Sequence, residues 1–206
     1  MPNLYIIAGC NGAGKTTASF TVLPEMLNCD EFINADEIAR GLAPFNPDKA
    51  AIEAGKLMLT KINQLITKQK DFAFETTLSS RSFKNTIAKA KNHNYQVTLV
   101  FFWLDSVELA IERVKSRVLE GGHNIAQGVI IRRYYSGIYN LFQLYMPICD
   151  YWMIFNNSIT PPELIAEGYL NADVDIKNSC TFEKIKRQSH DKEKRKYDQG
   201  KDNNRA

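Results

Sequence analysis

Eight consecutive residues near the start of the chain carry its clearest chemical signal. Gly9-Cys10-Asn11-Gly12-Ala13-Gly14-Lys15-Thr16 satisfies G-x-x-x-x-G-K-[ST] without a gap. Glycines at these positions let successive backbone N–H groups turn inward and wrap phosphate oxygens with no Cβ in the way. A helix opening behind them points its positive end at the same anion. Lys15 is placed to reach β- and γ-phosphates, and the Thr16 hydroxyl suits a magnesium ion. Gly9, Asn11, Gly12, Ala13, Gly14, Lys15, Thr16 and Thr17 therefore form the expected nucleotide-binding set, with ATP and Mg²⁺ as cofactors. Cys10, inside this loop, reads either as a redox-sensitive thiol or as an inert small residue.

Three further groups could act on a nucleotide held there. Asp36 follows the short apolar stretch Phe32-Ile33, so it would sit where a parallel strand ends and a ligand crevice opens. A carboxylate there can accept a hydroxyl proton or hold magnesium through water. Its alternative is to cap a helix beginning at Glu37. Glu75 and Thr77 close another apolar stretch, where Glu75 can bind substrate hydroxyls or pair with a neighbouring arginine. Arg113 and Arg117 lie four apart and share a helix face, and Arg132 and Arg133 follow after the Gly121-Gly122-His123 turn. These arginines read either as a solvated surface or as a lid over transferring phosphate.

The elements needed to position them are legible from apolar runs and punctuation. Leu4–Ala8, Glu31–Ile33, Phe72–Phe74, Val97–Leu104 and Tyr151–Phe155 read as strands, Leu4–Ala8 as one buried on both faces. Helices are expected from Lys15 toward Pro24, from Pro47 with Asn46 as cap, and over about 82–92, 107–119 and 129–144, with a short one after Pro161-Pro162. Alternating strands and helices predict an α/β fold. It is a P-loop NTPase-type, mainly parallel sheet with helices on both faces and a helical, arginine-bearing lid.

Taken together, these segments resemble the zeta toxin family of P-loop kinases. The resemblance is carried by Ile7–Thr17, Ile33-Asn34-Ala35-Asp36, Phe74–Leu78, Arg113–Val118, Gly121-Gly122-His123 and Arg132-Arg133-Tyr134, and it looks closest to compact members. It implies transfer of phosphate from ATP to a hydroxyl of a UDP-N-acetylglucosamine-type nucleotide sugar. Asp36 would be the base, with Lys15, Arg117 and Arg132 as its catalytic partners. Arg113 and Arg133 would lie on the nucleotide, and Glu75, Thr77 and, through a weaker match, Arg81 on the acceptor. Asn156-Asn157 would lie near the adenine. The alternatives are a kinase for a nucleoside, an antibiotic or a polynucleotide end, and an ATP-binding switch or NTPase. The chain departs from the family at Ala126-Gln127-Gly128, where a Pro-acid segment is common, and at Ile131, where a third basic residue is common. Both departures predict reduced activity.

Composition bounds the rest. A chain of 206 residues with 44% hydrophobic residues suits one domain, expected over residues 1–180 with a charged, disordered tail over 181–206. From Glu183 onward nine Lys/Arg face five acids, so the net charge of +3 belongs to the tail and leaves the remainder near −1. A nucleic-acid acceptor is correspondingly disfavoured. Cys10, Cys29, Cys149 and Cys180 have neither metal nor disulfide spacing. The absence of any long apolar run excludes a membrane span and sets a cytoplasmic expectation. The expected partners are a small-molecule hydroxyl acceptor and, if the chain is a toxin, an antitoxin protein blocking its ATP site.

Overall fold

The computed structural model describes residues 1–19, 29–122 and 124–191. Seven strands form one sheet in the order β2-β3-β1-β4-β5-β6-β7. These are β1 (Asn3–Gly9), β2 (Phe32–Ile33), β3 (Phe72–Thr76), β4 (Gln96–Trp103), β5 (Tyr151–Asn156), β6 (Glu163–Tyr169) and β7 (Val174–Ile176). The first five in that order are parallel. β1 lies between β3 and β4, and its residues from Leu4 to Gly9 are buried. That is why it reads as a continuous apolar run rather than an alternating one. The chain leaves β1 toward β3 on one side and later crosses to β4 on the other. The C-terminal end of β1 is thus the switch point of the sheet, where ligands of such folds bind.

Helices supply the two covering layers. A helix begins at Lys15 and is described over residues 15–19 (α1); the continuation toward Pro24 lies outside the described residues. Then come α2 (Ala35–Leu42), α3 (Pro47–Thr67), α4 (Phe83–Asn92), α5 (Val107–Leu119), α6 (Gln127–Asn140) and α7 (Ser179–His190). Pro47 occupies the start of α3 as expected, but Asn46 makes no side-chain cap bond. α6 ends sooner than its periodicity predicts. Its last turn widens over Leu141–Tyr145 and tightens over Met146–Ile148, where Pro147 lacks the N–H that a continuing helix needs. Ile131 on α6 is half-buried and packs against the core, so that position faces protein as much as solvent.

Two expectations are overturned at the C-terminal end. The segment after Pro161-Pro162 forms strand β6, not a helix, and pairs antiparallel with β5, with β7 in turn antiparallel to β6. Its inward residues Ile165 and Ala166 are fully buried, so sheet burial decides the conformation. The segment from residue 181 is not all tail: α7 runs to His190, with Phe182, Ile185 and Ser189 buried along one face. This 3–4 spacing is an amphipathic stripe that the surrounding charge conceals. Trp103 Nε1 and the Tyr134 hydroxyl both donate to Gln188 Oε1, at 2.9 and 3.2 Å, which ties α7 to β4 and α6. The remainder of the charged segment, residues 192–206, lies outside the described residues. Among the described residues no helix is long and apolar enough to cross a membrane.

Candidate active site

The loop between β1 and α1 is shaped by backbone that only glycine accommodates. Gly9 has φ +147°, and a Cβ there would stand 2.4 Å from the Phe102 carbonyl oxygen on β4. Gly14 has φ +74°, and its Cβ would meet the Asn157 side chain at 2.5 Å. Asn157 Nδ2 donates to the Ala13 carbonyl at 2.7 Å, and Arg113 on α5 donates to the Asn157 carbonyl at 2.9 Å. The loop following β5 is therefore laced across the glycine-rich turn and held there by α5. Burial pushes the Cys10 thiol up to about 12, against the opposing pull of Lys15 and Arg113, which favours its reading as an inert residue.

Glu75 stands at the centre of the polar groups. It sits near the end of β3, and β3 lies directly beside β1 with Ile7 in register with Glu75 and Ala8 with Thr76. Its carboxylate accepts from Thr16 Oγ1 at 2.6 Å and from Asn34 Nδ2 at 2.9 Å, and lies 3.4 Å from Lys15 Nζ. Lys15 also donates to the Cys10 carbonyl at 2.9 Å. Both members of the ion pair are largely buried, with side-chain exposures of 6% and 10%. A buried pair of this kind persists only when its remaining hydrogen-bonding capacity is met, and here threonine and asparagine meet it. The two alternatives for Glu75 are thus joined by a third: it accepts from the Thr16 hydroxyl and pairs with a lysine rather than an arginine.

Asp36 lies in the first turn of α2, exposed at the mouth of the cleft. It is not the cap of that helix. Asn34 is, with Oδ1 accepting from the N–H groups of Asp36 at 2.8 Å and Glu37 at 3.4 Å, so the carboxylate of Asp36 is not committed to capping. A cleft of about 470 Å³ is lined by Asn11, Lys15, Asp36, Glu75, Thr77 and Arg133, with Lys56 and Leu59 of α3 and Ser80, Ser82 and Phe83 opposite. That volume suits a small ligand.

The arginines divide. Arg133 donates to Asn11 Oδ1 at 3.2 Å and lines this cleft. Burial pulls its guanidinium below the ordinary value, Asp36 opposes that pull, and Arg132 adds to it. Arg117 lines a smaller cavity with Thr16 and Asp36. Arg113 is engaged with the Asn157 carbonyl, whereas Arg132 is exposed and lines neither cavity. Arg81 is exposed in the turn before α4 and is likewise not brought to the cleft. Thr17 is exposed on the first turn of α1, and His123 lies outside the described residues. The residue that sequence reasoning passed over is Asn34, whose only signal was its place in Ile33-Asn34-Ala35-Asp36 between a strand and a helix.

Magnesium fits the donors present. The Thr16 hydroxyl and the Glu75 carboxylate are adjacent hard oxygen groups, and Thr16 donates its proton to Glu75, which leaves its lone pairs for a cation. Among the described residues no group of three or more His, Cys, Asp or Glu could hold a metal unaided. One or two protein oxygens completed by phosphate and water is the usual arrangement for this ion.

The zeta toxin family model matches residues 1–139. An uncharacterised protein of Haemophilus influenzae is 33% identical over 129 residues, which are 61% of this chain and 88% of that protein. The crystal structure of AvrRxo1-ORF1:-ORF2 with ATP superposes with a TM-score of 0.73 at 17% identity, over 90% of this chain and 63% of that one. This chain thus spans less than two thirds of that structure's length. A structure from the PezAT chromosomal toxin-antitoxin system of Streptococcus pneumoniae superposes with a TM-score of 0.62 at 16% identity, over 92% and 86% of the two chains. At these identities the two superpositions speak to the fold.

Proposed function

The chain belongs to the zeta toxin family, and from that membership we propose that it transfers the γ-phosphoryl group of ATP to a hydroxyl of a UDP-N-acetylglucosamine-type nucleotide sugar. A P-loop phosphotransferase is the coarser statement that family and fold already carry. The observation that supports transfer to a hydroxyl is convergence: Lys15, Thr16, Glu75, Asp36 and Arg133 meet around the end of β1 from four different elements, while the choice of acceptor rests on the family.

Each has a role that follows from its place. Asp36 takes the proton of the acceptor hydroxyl. The acceptor oxygen then bonds to the γ-phosphorus as the bond from phosphorus to the bridging oxygen breaks, and ADP leaves. Lys15 exchanges its contacts with Cys10 and Glu75 for the β- and γ-phosphates. Arg133, with Arg117 from the neighbouring cavity, neutralises charge on the group in transfer. Thr16 and Glu75 would hold magnesium, which would supply charge neutralisation on the phosphates. Lys56 offers a cation to the acceptor's diphosphate, and Ser80, Ser82 and Phe83 offer hydroxyls and an apolar face to the rest of it. A toxin role with an inhibiting partner belongs to the same reading, and PezAT is a toxin-antitoxin system of this fold.

The test is steady-state ADP formation from Mg·ATP with and without UDP-N-acetylglucosamine. Stimulation by the sugar nucleotide is expected, and a phosphorylated sugar nucleotide should accumulate in step with ADP. ADP formation indifferent to the sugar nucleotide would reject this acceptor.

A further inference from the structure

Asn34 connects two parts of the cleft that have separate tasks. It is 7% exposed and stands between the end of β2 and the start of α2. Its Oδ1 accepts from the backbone N–H groups of Asp36 and Glu37. Its Nδ2 donates to Glu75 Oε2 at 2.9 Å and lies 3.5 Å from Thr16 Oγ1. The orientation of the amide is settled by its neighbours. Turned over, it would set its NH₂ against two N–H donors and its carbonyl against a carboxylate. Aspartate and serine cap helices as well as asparagine does, so capping alone does not call for an amide. A donor that also reaches Glu75 does.

We propose that Asn34 is a positioning residue. It fixes the helix bearing Asp36 to the Thr16–Glu75 pair, so that the base and the phosphate-side groups keep one spacing. This rests on the kinase reading for the role of Asp36, but not for the link to Glu75. Without the amide donor, Glu75 loses one of its two hydrogen bonds and is free to shift from Thr16, while the first turn of α2 is no longer tied to the loop.

Two variants of the full chain separate this role from capping. Asn34→Ser keeps a cap but is too short to reach Glu75, and Asn34→Ala loses both. Melting temperature and ATP affinity, the latter with Mg²⁺ and with EDTA, are measured without any acceptor. kcat and KM are measured with UDP-N-acetylglucosamine as the acceptor. Partners that orient metal-binding groups typically contribute about 10–100-fold to affinity or activity. The expected result is that Asn34→Ser melts close to the parent, whereas in both variants the gain in ATP affinity from Mg²⁺ shrinks by about 10-fold. kcat should fall by a similar factor while the KM for acceptor changes little. An Asn34→Ser protein that matches the parent in both the Mg²⁺ gain and kcat would overturn the proposal and leave Asn34 a cap. Should the parent phosphorylate no acceptor, the kinase reading fails by itself, and the Mg²⁺ gain still decides the case for Asn34.

Discussion

Replacing Glu75 by glutamine alters one atom and should split nucleotide binding from metal use. The carboxylate stands 3.4 Å from Lys15 Nζ, 2.6 Å from Thr16 and 2.9 Å from Asn34. At an effective dielectric near 20, an ion pair at that separation is worth about 5 kcal/mol before desolvation, and desolvation offsets much of it. Glutamine retains one acceptor oxygen, so most of the hydrogen bonding survives and the loss falls on the ion pair. A net destabilisation of about 1–3 kcal/mol is expected, equivalent to roughly 3–10 °C in melting temperature for a domain of this size. Two opposed changes in ATP binding should accompany it. Lys15 no longer leaves a carboxylate when it turns to phosphate, so affinity in EDTA should rise about 3–10-fold. The magnesium side loses its anionic oxygen, so the further gain on adding Mg²⁺ should fall about 10–100-fold. Calorimetric titration of both proteins in both conditions reads all four affinities. If Glu75→Gln weakens ATP equally with and without Mg²⁺, Glu75 is a scaffold for the loop and the assignment to the metal side is wrong.

The arginines give a second contrast: Arg133→Ala should lower kcat by about 10²–10³-fold. Arg132→Ala should change it less than about 3-fold, because Arg132 is exposed and lines neither cavity; steady-state kinetics on both variants checks this. Phe182→Ala should cost about 3–5 kcal/mol in denaturant unfolding, since Phe182 is buried on α7 against the core, whereas a solvated tail would lose almost nothing. In the folded protein at pH 8, an aromatic disulfide reagent should titrate Cys180 quickly and Cys10, Cys29 and Cys149 slowly, because Cys180 is exposed and the other three are buried. Burial raises the Cys10 and Cys149 thiols to about 12 and Cys29 to about 11, so thiolate is scarce at that pH. Denaturation should release all four.

The legible parts of this molecule are those whose physics is local. The glycine-rich loop is contiguous, and every residue in it answers to the same anion. The central strands announce themselves because both faces are buried, and α5 ends where Gly121 takes φ +87°. The role of Glu75 was harder to see, since it depends on β3 lying beside β1 and bringing Glu75 to Thr16, 59 positions earlier in the chain. Asn34 was missed for the same reason: its oxygen caps the first turn of α2 while its amide nitrogen reaches Glu75 on β3, and only the sheet order joins the two. At the C-terminal end, local signals misled. The pair Pro161-Pro162 suits a helix start, yet pairing with β5 drew the next residues into a strand. Charge along residues 183–191 masked the Phe182–Ile185–Ser189 stripe that docks α7. Family resemblance carried Arg81 and Arg132 to positions that the structure leaves exposed, and it could not distinguish them from Arg133 and Arg117, which reach the cavities.

We propose transfer of phosphate to an acceptor hydroxyl with Asp36 as the base. A rapid-quench single turnover tests it most directly, using γ-labelled ATP, Mg²⁺ and UDP-N-acetylglucosamine and counting label in the sugar nucleotide and in inorganic phosphate. Label should pass to the sugar nucleotide, and Asp36→Asn should slow this by at least about 10²-fold while binding ATP as the parent does. Label appearing only as inorganic phosphate, or transfer undiminished in Asp36→Asn, would contradict it.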